Sequence, residues 1–173
     1  MQILHFVEGF NLFLAVLFSV VYFYQLIYLV LGLVRKKRLH AAEPVQLRRY
    51  AAVISARNEA GVIAELIQCL KQQNYPREYL DIYVVADNCT DSTAECARRA
   101  GAEVFERFDK VRAGKGYALS FLLARVHSEY GKEFDGYFVF DADNVLDVNY
   151  FREMNKVFDG GAIASTSYRN SKN

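Results

Sequence analysis

Several residue types are scarce in this 173-residue chain, and each scarcity narrows its chemistry. There are three cysteines, Cys69, Cys89 and Cys96, an odd number without C-x-x-C spacing. That pattern argues against a disulfide framework and a structural zinc site, and it fits a reducing cytosol. The three histidines, His5, His40 and His127, are scattered and have no metal-ligand spacing. A dominant charge is also missing: 21 Lys and Arg against 20 Asp and Glu leave a formal net charge of +1. Composition therefore implies no nucleic acid partner. The opening stretch QILHFVEGF contains Glu8 but neither Lys nor Arg, whereas a secretory signal peptide starts basic. No internal repeat or low-complexity tract is visible.

Charge is absent altogether from Gly9 to Val34. About 26 residues at a rise of about 1.5 Å each are long enough to cross a hydrocarbon core with some tilt. Tyr22, Tyr24 and Tyr28 suit a membrane interface, and the run stops at Arg35-Lys36-Lys37-Arg38. The positive-inside rule places those four charges, and everything after them, on the cytoplasmic side. The expected organisation is a transmembrane segment at 1–34, a basic juxtamembrane linker at 35–49 and a globular part at 50–173. The chain is thus expected at the plasma (inner) membrane, crossing it once.

Beyond the linker, short apolar β-rich runs alternate with stretches of helical spacing. Strands are expected at Ala51–Ala56 (AAVISA), Ile82–Ala86 (IYVVA), Glu103–Arg107 (EVFER), Tyr137–Phe140 (YFVF) and Ala162–Ser167. Helices are expected around Val62–Leu70, after Asp91, around Leu119–Val126 and at Asn149–Phe158. Ser92 and Glu95 have the spacing of a capping box, and Gly101 sits where a helix-ending glycine belongs. Alternating strands and helices imply a mainly parallel sheet with right-handed crossovers, covered on both faces. In such sheets ligands bind beyond the carboxyl ends of the strands, where strand order reverses. The polar residues fall there: Arg57, Asn58 and Glu59 after the first strand, Asp87 and Asn88 after the second, Asp141 and Asp143 after the fourth.

Asp141-Ala142-Asp143 carries the most specific chemistry. Continued strand geometry would put both carboxylates on one side of the chain, where a shared divalent cation offsets their repulsion. Hard oxygen ligands favour magnesium or manganese, whose remaining positions go to water and substrate phosphates. The structural alternative is one aspartate capping a turn and the other solvated. Asp87 can accept hydrogen bonds from a ring N–H or a ribose hydroxyl, but taken alone it more commonly caps the next helix. Lys110, Arg112 and Lys115, with Gly114 and Gly116, form a basic loop leading into a helix N-terminus. It is either an anion site or a solvated loop, and it lacks the spacing of a P-loop.

VISARNEA, VVADNCTDST, GKGYAL and FDADN, in that order, resemble the inverting family 2 glycosyltransferases, which have a Rossmann-like GT-A nucleotide-diphospho-sugar transferase fold. The resemblance covers roughly residue 50 onward. It implies a nucleotide-sugar donor, usually a UDP-sugar, a carbohydrate or lipid-linked acceptor, and Mg2+ or Mn2+. Carried over by position, Ala56, Asn58, Glu59 and Asp87 would contact the nucleoside, with Asp87 reading the uracil ring. Lys115 would lie near the nucleotide, Asp141 would touch the ribose or the metal shell, and Asp143 would hold the metal. Ala86 departs from the family, which often has a carboxylate there. The family's catalytic base lies in an acidic motif downstream, and processive members also have a Gln-x-x-Arg-Trp, whereas this chain has no tryptophan and ends at YRNSKN. The expectation is an N-terminal portion that holds the donor half of the site and is inactive alone. Two other readings compete: a non-catalytic membrane-tethered nucleotide-binding or interaction module, and a haloacid-dehalogenase-like phosphatase using DADN. The anchor itself is directly testable. After an alkaline carbonate wash the protein is expected in the membrane pellet; recovery in the supernatant would overturn the assignment.

Overall fold

A computed structural model describes residues 2–35, 46–130 and 133–167. The chain divides into two compact units, Met1–Ala42 and Glu43–Asn173. The first contains α1 (Gln2–Arg35), an unbroken helix. Its segment Leu4–Leu33 has a mean hydropathy of 2.2 and is long and apolar enough to cross a membrane by length and composition. Most of the expected linker, through residue 45, lies outside the described residues, as does the tail after 167.

In the second unit a four-stranded parallel sheet is built from β1 (Tyr50–Ala56), β2 (Leu80–Asp87), β3 (Glu103–Arg107) and β4 (Gly136–Asp141). Their order is β3-β2-β1-β4. The helices are α2 (Ile63–Lys71), α3 (Thr93–Ala100), α4 (Lys115–Tyr130) and α5 (Tyr150–Asp159). Strand alternation sends the side chains of β1 to two cores. Tyr50, Ala52 and Ile54 pack with Ile63, Leu66, Ile67 and Leu70 of α2, Ala97 and Ala100 of α3, and Phe151 and Met154 of α5. Ala51 and Val53 pack with Tyr83 and Val85 of β2 and with Ala118, Leu122 and Val126 of α4. Burial on both faces accounts for the unbroken apolar run that β1 shows in sequence.

The rings of Phe138 and Phe151 lie 4.6 Å apart, and those of Tyr50 and Phe138 5.0 Å apart, so aromatic packing joins β1, β4 and α5. Tyr50 and Tyr75 bring hydroxyls into this core, and polar partners meet them. The Tyr50 hydroxyl donates to Asn155 Oδ1 (2.8 Å), while Asn155 Nδ2 donates to the Gln46 carbonyl (2.9 Å). The Tyr75 hydroxyl donates to the Arg48 carbonyl (2.6 Å) and accepts from the Arg48 amide (3.0 Å). Burial pushes both phenols above the ordinary tyrosine value. The folded unit therefore takes in Gln46–Arg49, a few residues before the expected boundary.

Two sequence expectations need correction. Ala162–Ser167 is irregular chain rather than a fifth strand. A strand requires a partner ladder, and in this segment the β-branched Ile163 is 99% exposed instead of packed on a sheet face. The capping box at Ser92 also fails to form: the Ser92 side chain makes no capping bond. Asp91 does the work instead, accepting from the Thr93 amide (3.0 Å) and the Thr93 hydroxyl (2.5 Å). Gly101 closes α3 as expected, at φ 89°, with the amides of Gly101 and Ala102 returning to Arg98 and Ala97.

The two-core arrangement predicts unequal effects at neighbouring leucines of α4. Leu122 is fully buried, and Leu122→Ala is expected to cost about 2–5 kcal/mol in urea unfolding. Leu123 is 37% exposed, so Leu123→Ala should cost under about 1 kcal/mol. Equal losses would show that α4 is not packed in this register.

Candidate functional site

Parallel register aligns the carboxyl ends of all four strands. Ala56 pairs with Ala86, Ser55 with Asp141, and Asp87 with Arg107. Read across the sheet, the strand ends present Arg107, Asp87, Ala56 and Asp141. At about 4.8 Å per strand, Asp87 and Asp141 stand roughly 10 Å apart across the sheet, on either side of β1, with Asp87 two residues further along the strand direction. The chain moves outward from β1 to β2 and β3, then returns through α4 to place β4 on the other side of β1. The topological switch point therefore lies between β1 and β4, with Asn58 and Glu59 following one strand and Asp141 ending the other.

Loops following β1 and β2 are bonded to each other through side chains. Asn58 has φ 56° and uses its Oδ1 to accept from the Thr90 amide (2.8 Å). The Thr93 hydroxyl accepts from the Glu59 amide (2.8 Å), and Asp91 Oδ2 accepts from the Ala60 amide (3.3 Å). The Glu59 carbonyl in turn receives the amides of Val62 and Ile63, so α2 starts without a side-chain cap. The bonds from Thr93 hold the Asp91 carboxyl below the usual range.

Asp87 is almost completely buried, and its charge is met by a residue that sequence reading did not nominate. Arg107 Nη1 lies 2.5 Å from Asp87 Oδ1, and both side chains are buried. Asn88 Nδ2 donates to the same oxygen (3.1 Å). Arg107 Nη2 reaches on to Asp109 Oδ2 (3.1 Å) and to the Arg112 carbonyl (2.7 Å). The available signal was an arginine at the carboxyl end of a predicted parallel strand, in line with the other polar strand ends.

The basic loop is organised by its own residues. Asn88, at φ 52°, grips the Asp109 backbone twice, accepting from its amide (3.0 Å) and donating to its carbonyl (3.1 Å). Asp109 Oδ1 accepts from the amides of Val111 (3.0 Å) and Arg112 (2.9 Å). Those bonds, the Arg112 amide first, hold the Asp109 carboxyl below its ordinary value. Gly114, at φ 127°, takes a conformation open to glycine and leads into Lys115 at the start of α4. Lys115 Nζ forms an exposed ion pair with Asp141 Oδ1.

Strand geometry does not continue through Asp143 as expected. β4 ends at Asp141, and a turn follows in which the Asn144 amide donates to the Asp141 carbonyl (3.1 Å) and Asn144 Oδ1 accepts from the Asp141 amide (3.1 Å). Asn144 thus bonds both backbone polar groups of Asp141 across this turn. Asp143 is exposed on it, with Asn144 Nδ2 at 3.4 Å from its Oδ1. A cavity of about 470 Å3 lies elsewhere, beside β4 and lined in part by Arg48, Tyr137, Tyr150 and Ser165.

The sheet order makes this a doubly wound α/β domain with polar strand ends, and its structural neighbours share with it the GT-A fold of glycosyltransferases. Residues 48–172 match the family described as glycosyltransferase like family 2, and the chain belongs to that family. A curated relative, beta-monoglucosyldiacylglycerol synthase of Nostoc sp. (strain PCC 7120), is 30% identical over 112 residues, which cover 61% of this chain and 24% of the relative. The mannosyltransferase PcManGT from Pyrobaculum calidifontis, solved with GDP-Man and Mn2+, superposes with a TM-score of 0.56 at 24% identity, over 73% of this chain and 39% of that one. TarS residues 1–349 of S. aureus superpose with a TM-score of 0.54 at 18% identity, over 65% and 32%. The chain therefore spans less than half the length of these relatives. Family membership removes the phosphatase reading of DADN.

The Asp87–Arg107 pair is expected to behave as a buried pair. Arg107→Met should lower unfolding free energy by about 3–5 kcal/mol, because Asp87 is left charged and unpartnered. Adding Asp87→Leu should recover a large part of that loss in urea denaturation. A double variant as unstable as the sum of the singles would show that the two residues act independently.

Proposed function

We propose that this chain is the donor-binding part of a membrane-anchored glycosyltransferase that passes a sugar from a nucleotide-sugar, a UDP-sugar, to an acceptor hydroxyl with inversion. The observation that carries the reading is the position of Asp141 at the end of β4 and of Asp143 in the turn after it, beside the β1/β4 switch point, in a chain of this family. Asn58, Glu59 and Asp87 stand across the switch point and would take the nucleoside, with Ala56 ending β1 beneath it. Arg107 would fix the Asp87 carboxylate in the nucleoside end of the crevice.

The donor set fits magnesium or manganese. Asp141 and Asp143 offer hard oxygen ligands of the kind these ions take. Two carboxylates leave most of the coordination shell to water and to diphosphate oxygens, the usual arrangement for a nucleotide-bound magnesium. When bound, the ion supplies Lewis-acid stabilisation of the leaving nucleoside diphosphate. The chain's own residues hold the donor: Asp143 and Asp141 at the metal, Lys115 beside the diphosphate, and the loops after β1 and β2 around the nucleoside. Neighbours solved with GDP-Man and Mn2+ or with UDP-GlcNAc support a nucleotide-sugar donor, and the glycolipid synthase supports a lipid-linked or carbohydrate acceptor. The apolar α1 supports attachment to a membrane, and the basic run after it supports a cytoplasmic catalytic unit.

Calorimetry on the detergent-solubilised chain tests this reading. UDP-sugar binding is expected only with Mn2+ or Mg2+ present, and Asp143→Ala is expected to abolish it. Binding that ignores both the metal and the substitution would overturn the proposal.

A further inference from the structure

Lys115 and Asp141 make an ion pair across the β4 end, and this pair raises a question that the donor-binding reading leaves open. Asp141 is proposed as a partner of a divalent cation, and its Oδ1 also pairs with the Lys115 ammonium. Lys115 is the first residue of α4 and follows Gly114. Its side chain is about half exposed, as is that of Asp141. An exposed ammonium on a four-carbon stem exchanges partners readily, unlike the buried Arg107–Asp87 pair.

We propose that Lys115 is a positioning residue that couples the binding of metal and donor: it neutralises Asp141 when the site is empty and transfers to the donor diphosphate when the metal arrives. The inference rests on the donor-binding reading above. Charge counting carries it. Asp141, Asp143 and Lys115 sum to −1, so a divalent cation alone raises the site to +1 and meets a like charge beside its ligand. A diphosphate in the same site offers Lys115 an alternative partner and returns the sum to −1. Metal binding is then weak alone and strong with donor, and by linkage the donor binds better with metal to the same degree. Without Lys115 the empty site would carry −2, the metal alone would neutralise it, and the incoming diphosphate would find no ammonium.

Mn2+ binding to the detergent-solubilised chain, followed by electron paramagnetic resonance without nucleotide and by calorimetry with UDP, separates these states. Lys115→Gln is expected to bind Mn2+ alone about two- to fivefold more tightly, the size of an exposed ion pair. It should bind UDP more weakly at saturating Mn2+, while Lys115→Arg stays near the native values for both. Circular dichroism establishes that each variant is folded. Unchanged or weaker affinity of Lys115→Gln for Mn2+ alone would overturn the coupling, as would unchanged UDP affinity. Asp143→Ala is read alongside: if it leaves Mn2+ affinity intact, the metal site itself is misplaced, which is a failure of the underlying reading and distinct from failure of the coupling.

Discussion

Burial of β1 on both faces is the constraint on which the remaining architecture depends. A central parallel strand has neighbours on both edges and helices over both faces, so it can carry polar groups only where it ends. Tyr50, Ala51, Ala52, Val53 and Ile54 are all fully buried, and the first exposed residue after the strand is Arg57. Small residues at 51, 52 and 56 let helices approach the sheet closely on each side. The sequence of outward steps to β2 and β3 and a return to β4 then makes the exit of β1 the one place where two loops diverge to opposite sides. Polar groups gather at that point because the buried length of the strand excludes them.

Charge at such a strand end has to be met, and this protein meets it in two different ways. Asp87 and Arg107 are buried together, and their desolvation makes the pair costly to break on either side. The guanidinium fork also holds Asp109 and the Arg112 carbonyl, so the pair ties β2, β3 and the basic loop into one unit. Asp141 and Lys115 are half exposed, where an ion pair contributes about 1 kcal/mol or less and is screened by salt. The first arrangement fixes geometry; the second leaves its members free to change partners. Under the proposed function, the buried pair would stand at the nucleoside end and the exposed pair at the phosphate end, suiting a ligand of which one part is selected for shape and another for charge.

The strand and helix sequence was largely legible before the structure. β3 spans the residues expected, and β1, β2 and β4 extend the expected runs by one or two residues at their ends. Apolar period decides those elements, and each carries enough buried residues to make the period visible. Ala162–Ser167 misled because β propensity at Ile163 and Thr166 has no meaning without a paired neighbour. Ser92 misled because capping depends on which nearby oxygen reaches the helix amides, and Asp91 reached them. At the site, the carboxylates at strand ends were visible as breaks in apolar runs. Arg107 was not, because its meaning depends on β3 lying beside β2, and Lys115 could be placed only in a basic loop until α4 brought it to Asp141.

The loops themselves explain why these groups can act together. Asn58 and Asn88 both adopt left-handed backbone, which costs roughly 1 kcal/mol for an ordinary side chain and less for asparagine. Each asparagine then bonds a different loop: Asn58 holds Thr90, and Asn88 holds Asp109. The strain is local and the bonds are between segments, so the two turns function as cross-links among the exits of β1, β2 and β3. Loops cross-linked this way would present an ordered wall to a ligand, with the entropy of arranging it met during folding rather than during binding. Among the described residues, the Asp141–Lys115 corner lies outside that cross-linked set and is held by its turn and by an exposed ion pair. Burial and bonding are thus distributed unevenly along the strand ends, greatest at Asp87 and least at the Asp141–Lys115 pair, and in the proposed site this difference would let one part of a ligand be recognised while another part rearranges the charges around it.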